Sequence, residues 1–210
     1  GKVVRLTWNP TFFLMILKKS LPFALLFLLM SFYNRIDSVM IERLLPVQLG
    51  AGEAGIYASA FRLLDALVMI AYLFSVILLP LFSKMLKNRE DVGVIVKSSF
   101  SLLFMFSVTA VVILEVFRLP VLDLLYEEHV DESAAVFRFL IPCMIPISMT
   151  YIFGTLLTAN GNMKWLNMTA AVGIIVNVAV NLFLIPRMHA VGASIASLST
   201  QTVVCVSQFY

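Results

Sequence analysis

Apolar residues run along the chain in six long stretches, each closed by a short polar or proline-bearing break. The first covers about 20–45, opened by Lys18-Lys19 and Pro22 and closed by Pro46 and Gly50. The second, about 53–82, ends at Pro80 and then Lys84, Lys87 and Arg89. The third, about 94–117, is broken by Arg118-Leu119-Pro120. A short amphipathic piece over 121–132 follows, ending in Glu127, Glu128, Asp131 and Glu132, and is expected at the membrane interface. The last three stretches, about 134–158, 165–185 and 191–210, are separated by Asn160-Gly161-Asn162 and by Pro186-Arg187. A helical crossing needs about 20 mainly apolar residues, and these runs are too long and too little alternating for barrel strands. The pattern predicts an all-α integral membrane bundle of about six transmembrane helices over 20–210, preceded by a cytoplasmic N-terminal segment over 1–19.

Composition agrees. The chain is 61% hydrophobic and 13% charged, with a mean hydropathy of +0.99; soluble domains sit near about 45–50% and about 25%. No length is left for a separate soluble catalytic domain. Cys143 and Cys205 fall inside apolar stretches with no second cysteine nearby, which excludes a disulfide framework or a CxxC site. The net charge of +3 and pI near 9.0 reflect basic residues placed mostly in loops, where membrane orientation explains them; no nucleic-acid partner is expected. Lys2, Arg5, Lys18, Lys19, Lys84, Lys87, Arg89, Lys97 and Lys164 fall on one side, against Arg43, Arg118, Arg138 and Arg187 on the other, so the first span starts in the cytoplasm. Gly1 is not a methionine and Tyr210 lies inside an apolar run, so the chain is expected to belong to a longer, transporter-sized protein.

Four charges lie within the first two spans: Arg35 and Asp37, then Arg62 and Asp65. An ionisable group at bilayer depth costs at least about 2.5–3.5 kcal/mol, so it is expected to face a cavity, a partner or a substrate. Counted from the outer ends of their spans, both arginines fall about 14–15 Å deep on antiparallel neighbours. Ser31, Asn34, Arg35, Ser38 and Glu42 form one stripe, and Asp37 falls off it. On the second span, Ala58, Arg62, Asp65, Met69 and Tyr72 share a face, with Arg62 and Asp65 spaced to pair. Two readings fit. In one, a water-accessible cavity uses the arginine forks to hold an anionic substrate; in the other, Arg35 with Asp65 or Arg62 with Asp37 are interhelical ion pairs. Asp37 and Asp65 are candidate counter-ions or proton- or cation-coupling groups.

Thr169, Gly173, Asn177 and Asn181 recur every four residues, a small and polar stripe suited to helix packing or, where it meets a cavity, to substrate contact. Asn34, Asn177 and Asn181 accordingly join Arg35 and Arg62 as candidate substrate-binding residues. Ser194, Ser197, Gln201, Cys205 and Gln208 repeat the stripe, and Pro142 with Pro146 suits a bent fourth span. His129 and His189 are isolated, so no metal site is expected, and no cofactor is implied. The chain lacks a nucleophile elbow and a phosphate-binding glycine loop, which disfavours a hydrolase or an ATP-driven pump.

The stretches SFYNRIDSVMIER (31–43) and AGIYASAFRLLDA (54–66) resemble the start of the C-terminal half of polysaccharide flippases, members of the multidrug/oligosaccharidyl-lipid/polysaccharide exporter superfamily. TANGNMKW, NVAVNLFLIP and VGASIAS, between 158 and 197, are similar to that superfamily's pattern of Asn-rich span, Ile-Pro, then Gly-Ala. The resemblance implies one lobe of a two-lobe bundle, spans seven to twelve, working with a missing N-terminal lobe. It further implies export of undecaprenyl-diphosphate-linked oligosaccharide across a bacterial inner membrane, for polysaccharide, lipopolysaccharide or O-antigen, with membrane lipid and a glycan polymerase or ligase as partners. Arg62 is the position it assigns to the diphosphate, with Arg35 beside it. The alternatives are a cation-coupled drug or metabolite antiporter of the same superfamily, a membrane enzyme of polysaccharide assembly, and a non-transporting scaffold.

Overall fold

The structure, a computed structural model, describes residues 10–209. Residues 1–9 of the expected 1–19 segment, with Lys2 and Arg5, and Tyr210 lie outside the described residues. All regular structure among the described residues is helical: α1 (Pro10–Leu44), α2 (Val47–Lys87), α3 (Gly93–Val116), α4 (Arg118–Leu125), α5 (Val130–Leu140), α6 (Met144–Ala159) and α7 (Met163–Ser207).

Among the described residues five helical stretches are long and apolar enough to cross a membrane: α1, α2, α3, α5 continued into α6, and α7. The 45-residue α7 breaks at His189, whose φ of 51° and ψ of −133° are not helical. Its two arms, 163–188 and 190–207, fold back on one another: a Cβ at Gly173 would fall 2.7 Å from Val204 Cγ2, and one at Gly192 would fall 2.6 Å from the Leu184 carbonyl. Trp165 Nε1 closes the open end of this hairpin by donating to the Ser207 carbonyl at 3.1 Å. Counting the two arms of α7 separately gives six long apolar helical stretches among the described residues. Side chains such as Phe27, Ile77 and Met105 stand about 70% exposed, an outward apolar surface that lipid, not water, would cover.

Several boundaries differ from the expected ones. The first helix begins at Pro10, so Lys18-Lys19 are helical residues about 38 Å from Leu44 along the axis. Pro46 caps α2, which therefore starts at Val47 and not near 53. Gly50 is a close-packing residue within it: a Cβ there would lie 2.8 Å from the Glu42 carbonyl. The expected interfacial piece 121–132 divides. Pro120 falls in the first turn of α4, where its missing N–H is harmless, while Asp131 and Glu132 open α5 and favour its positive end. Pro142 sits in a 3-10 turn, Ile141–Cys143, that joins α5 to α6.

The main core packs Ile41 of α1, Tyr57 and Leu64 of α2, Phe137 and Leu140 of α5, and Ile185 of α7. A second cluster joins Ala71, Leu78 and Phe82 of α2 to Leu103 of α3 and Ile152 of α6. Cys143 and Cys205 are buried, free thiols.

Candidate functional site

Residues two apart on a helix point about 200° from one another, so Asp37 faces away from Arg35 and into α7. It is fully buried. Its Oδ1 accepts from Asn177 Nδ2 at 2.9 Å and Asn181 Nδ2 at 2.6 Å. Its Oδ2 accepts from Tyr57 Oη at 2.7 Å and from Ser197 Oγ. The amide of Asn181 also reaches Asn177 Oδ1 at 3.0 Å, and the Tyr57 and Ser197 hydroxyls lie 2.9 Å apart. Four donors drawn from α2 and both arms of α7 thus occupy the carboxylate's acceptor positions. The expected pair of Asp37 with Arg62 is not formed; neutral donors take the place of a counter-ion. Asn177 and Asn181 are fully buried, and their amides serve Asp37 instead of facing a cavity. The four-residue spacing that suggested packing or contact places both amides on the face turned to α1.

On the opposite side of α1, Arg35 Nη2 lies 3.0 Å from Asp65 Oδ2 of α2, and the guanidinium stands 5.6 Å from the centre of the Phe61 ring. Both side chains are open, 71% and 46% exposed. Arg62, one turn before Asp65, is exposed, and among the described residues no hydrogen bond or ion pair engages its side chain. The i, i+3 spacing allows Arg62 to pair with Asp65, but it is Arg35 of the neighbouring helix that holds that carboxylate. With α2 starting at Val47, Arg62 also stands about 22 Å along its helix and not about 14–15 Å. Two guanidinium groups and one carboxylate therefore share an open face at mid-helix, an arrangement costly against lipid and suited to a water-filled passage.

Beside this face a cavity of about 260 Å³ enters the lobe between α1, α2, α6 and α7. Asp65 lines it, as do Asn34 and Gln201, whose Nε2 donates to Asn34 Oδ1 at 2.9 Å. Tyr33, Phe61 and Tyr151 supply aromatic walls. From Asn34 and Asp65 the lining continues towards Thr158, Leu166 and Gln208, the half of the lobe that ends in the 160–162 turn. The other half is filled by the Asp37 cluster and the main core. Of the candidate substrate-binding residues, only Asn34 lines the cavity.

Three side chains that organise this region were not singled out from the sequence as site residues. Tyr57 was readable only as the one large polar-tipped residue in the run AGIYASA. Ser197 belongs to the small and polar stripe that packs α7. Glu53 caps the second arm of α7: its Oε2 accepts the Ala190 N–H at 3.1 Å and its Oε1 lies 3.3 Å from His189 Nδ1. Among the described residues no three His, Cys, Asp or Glu side chains converge as metal ligands.

A family model described as MatE matches residues 22–183, from within α1 to the first arm of α7. The chain belongs to the MatE family. No curated protein matches it. MatE proteins are membrane transporters of the multidrug/oligosaccharidyl-lipid/polysaccharide exporter superfamily, so this chain is a multi-pass membrane protein of the exporter class. The MatE match covers Asp37, Arg35, Arg62, Asp65, Asn177 and Asn181, and so takes in both polar faces of α1.

Proposed function

We propose that this MatE chain is one lobe of a bacterial inner-membrane flippase that carries undecaprenyl-diphosphate-linked oligosaccharide to the outer leaflet by alternating access. The observation that carries the reading is the open mid-helix face bearing Arg35 and Arg62. Arg62 is uncommitted, and Arg35 gives Asp65 a single Nη2 contact, so donors remain for the oxygens of a diphosphate. A diphosphate entering the passage takes these remaining donors while Nη2 keeps its contact with Asp65. A second, N-terminal lobe faces this one across the passage, the first span starts in the cytoplasm, and a glycan polymerase or ligase receives the product. Asp37, gripped by α2 and both arms of α7, is the coupling group of the lobe: any change in its protonation or ion occupancy alters four interhelical bonds together.

The test is Arg35→Ala and Arg62→Ala in the complete protein, scored by surface glycan and by membrane abundance. Lost export at normal abundance supports the reading. Normal export in both variants, or loss of abundance matching the loss of export, refutes it.

A second reading, a cation-coupled drug or metabolite antiporter, is favoured by the Asp65 carboxylate beside Tyr33, Phe61 and Tyr151. Efflux of an organic cation that is lost in Asp65→Asn, with glycan export untouched, would decide for it.

A further inference from the structure

The cavity inside the lobe is not lined by the arginines that the flippase reading assigns to the diphosphate. Neither Arg35 nor Arg62 borders it, and its lining has no basic side chain. Its one acidic group, Asp65, is already neutralised by Arg35 at 3.0 Å. The cavity therefore suits an uncharged occupant.

Its polar groups are unevenly satisfied. Ser75, Thr155 and Thr158 donate their hydroxyl protons to backbone carbonyls of their own helices, so towards the cavity they present lone pairs. Gln208, more than nine-tenths buried, has an Oε1 with no hydrogen-bond partner; Thr150 Oγ1, equally buried, has only the Cys205 thiol, a weak partner, beside it. A buried polar group left unpaired is costly, and an alkyl chain in this cavity would leave Gln208 Oε1 so. A ligand carrying both donors and acceptors would not.

Tyr33, Phe61 and Tyr151 add flat apolar walls beside these groups. A pyranose ring combines the two properties the cavity asks for, an apolar C–H face and a rim of hydroxyls that both donate and accept. At about 260 Å³ the space lies just under the range of about 300–1,000 Å³ that holds drug-sized ligands, enough for one ring and not for an oligosaccharide.

We propose that this cavity is a monosaccharide subsite, which takes a single neutral pyranose ring between α1, α2, α6 and α7 through Gln208, Thr150 and the Asn34–Gln201 pair. The assignment rests on the flippase reading: the ring is the sugar nearest the diphosphate, admitted while the arginines hold the phosphates on the open face alongside. The subsite would make the identity of that first sugar a determinant of which glycan is exported.

The experiment is ligand-observed saturation-transfer NMR on the complete protein in nanodiscs, with glucose, galactose and N-acetylglucosamine as probes. At least one sugar is expected to show transfer. Gln208→Leu and Thr150→Val should each weaken it about tenfold, in keeping with loss of one hydrogen bond to a buried group. Because Gln208 Oε1 is unpartnered without a sugar, Gln208→Leu should melt no lower than the parent protein. Gly154→Leu, whose Cβ would stand 3.4 Å from Gln208 Oε1, should block the cavity and abolish transfer while keeping all the polar groups. Absence of transfer from all three sugars, or transfer unchanged in these variants, overturns the subsite; so does binding of tetraphenylphosphonium that the same variants abolish. The two proposals fail separately. Sugar binding that persists while Arg35→Ala and Arg62→Ala export normally refutes the diphosphate reading alone, and arginine-dependent export without sugar binding refutes the subsite alone.

Discussion

Asn181 Nδ2 lies 2.6 Å from Asp37 Oδ1, joining two helices whose contacting residues are 144 positions apart in the chain. The bond is one of four on a fully buried carboxylate. It holds α1 against the first arm of α7, while Ser197 holds the second arm and Tyr57 holds α2. One aspartate thereby ties three helices at the depth where the lobe changes from packed core to open cavity.

The cluster makes Asp37 a stability residue as well as a candidate coupling group. Asp37→Ala strands up to four buried donors at about 1–3 kcal/mol each, so a large loss of membrane abundance and of melting temperature in detergent is expected. Asn181→Leu removes one donor of the four and should cost about 1–2 kcal/mol. In the double variant the effects should be markedly less than additive. Full additivity in the melting data would mean that the two side chains do not share a network.

Arg35 and Asp65 behave differently because both are open. An exposed ion pair contributes about 0–1 kcal/mol, so Arg35→Ala and Asp65→Ala should leave abundance and melting nearly unchanged. The reversed pair, Arg35→Asp with Asp65→Arg, restores the bridge yet moves the charge to the wrong helix. It is expected to accumulate normally and to export nothing; retained export would show that only the pairing, and not the position of the cation, matters.

The contrast explains what could be read from the sequence and what could not. Six apolar runs were legible because hydropathy and proline breaks are local properties, and the all-helical bundle followed from them. The sidedness of Asp37 was also visible, since it falls off the stripe that carries Arg35. Its partners were not: Tyr57, Asn177, Asn181 and Ser197 come together only when α2 and the α7 hairpin dock, and charge matching alone pointed to Arg62. Glu53 was read as the start of a span, and its work as a cap depends on the return of α7 at His189, a meeting of residues far apart in the chain.

That cap can be tested on its own. Glu53→Ala leaves the Ala190 N–H without its acceptor and removes the partner of His189, and loss of a helix cap typically costs about 1 kcal/mol. Glu53→Gln keeps an amide oxygen for Ala190 and loses only the charge facing His189. Melting temperatures should therefore fall clearly in Glu53→Ala and by less than half as much in Glu53→Gln. Equal losses would assign the contribution to the His189 contact instead of to the cap.

The α7 hairpin itself depends on backbone approach. At Gly192 a Cβ would sit 2.6 Å from the Leu184 carbonyl and 3.0 Å from the Ile185 nitrogen, backbone atoms that no rotamer change relieves. At Gly173 the nearest atom is Val204 Cγ2 at 2.7 Å, the end of a side chain that can shift or be trimmed. Gly192→Ala is thus expected to separate the two arms and cost more than about 3 kcal/mol, through the overpacking that small-to-large changes impose on close-packed interiors. Gly173→Ala should cost less, and Val204→Ala should recover most of the loss by opening the space that the new methyl needs. Membrane abundance followed by melting of the purified protein checks both. Rescue of Gly192→Ala by Val204→Ala, or failure of that change to rescue Gly173→Ala, would refute the hairpin packing described for α7.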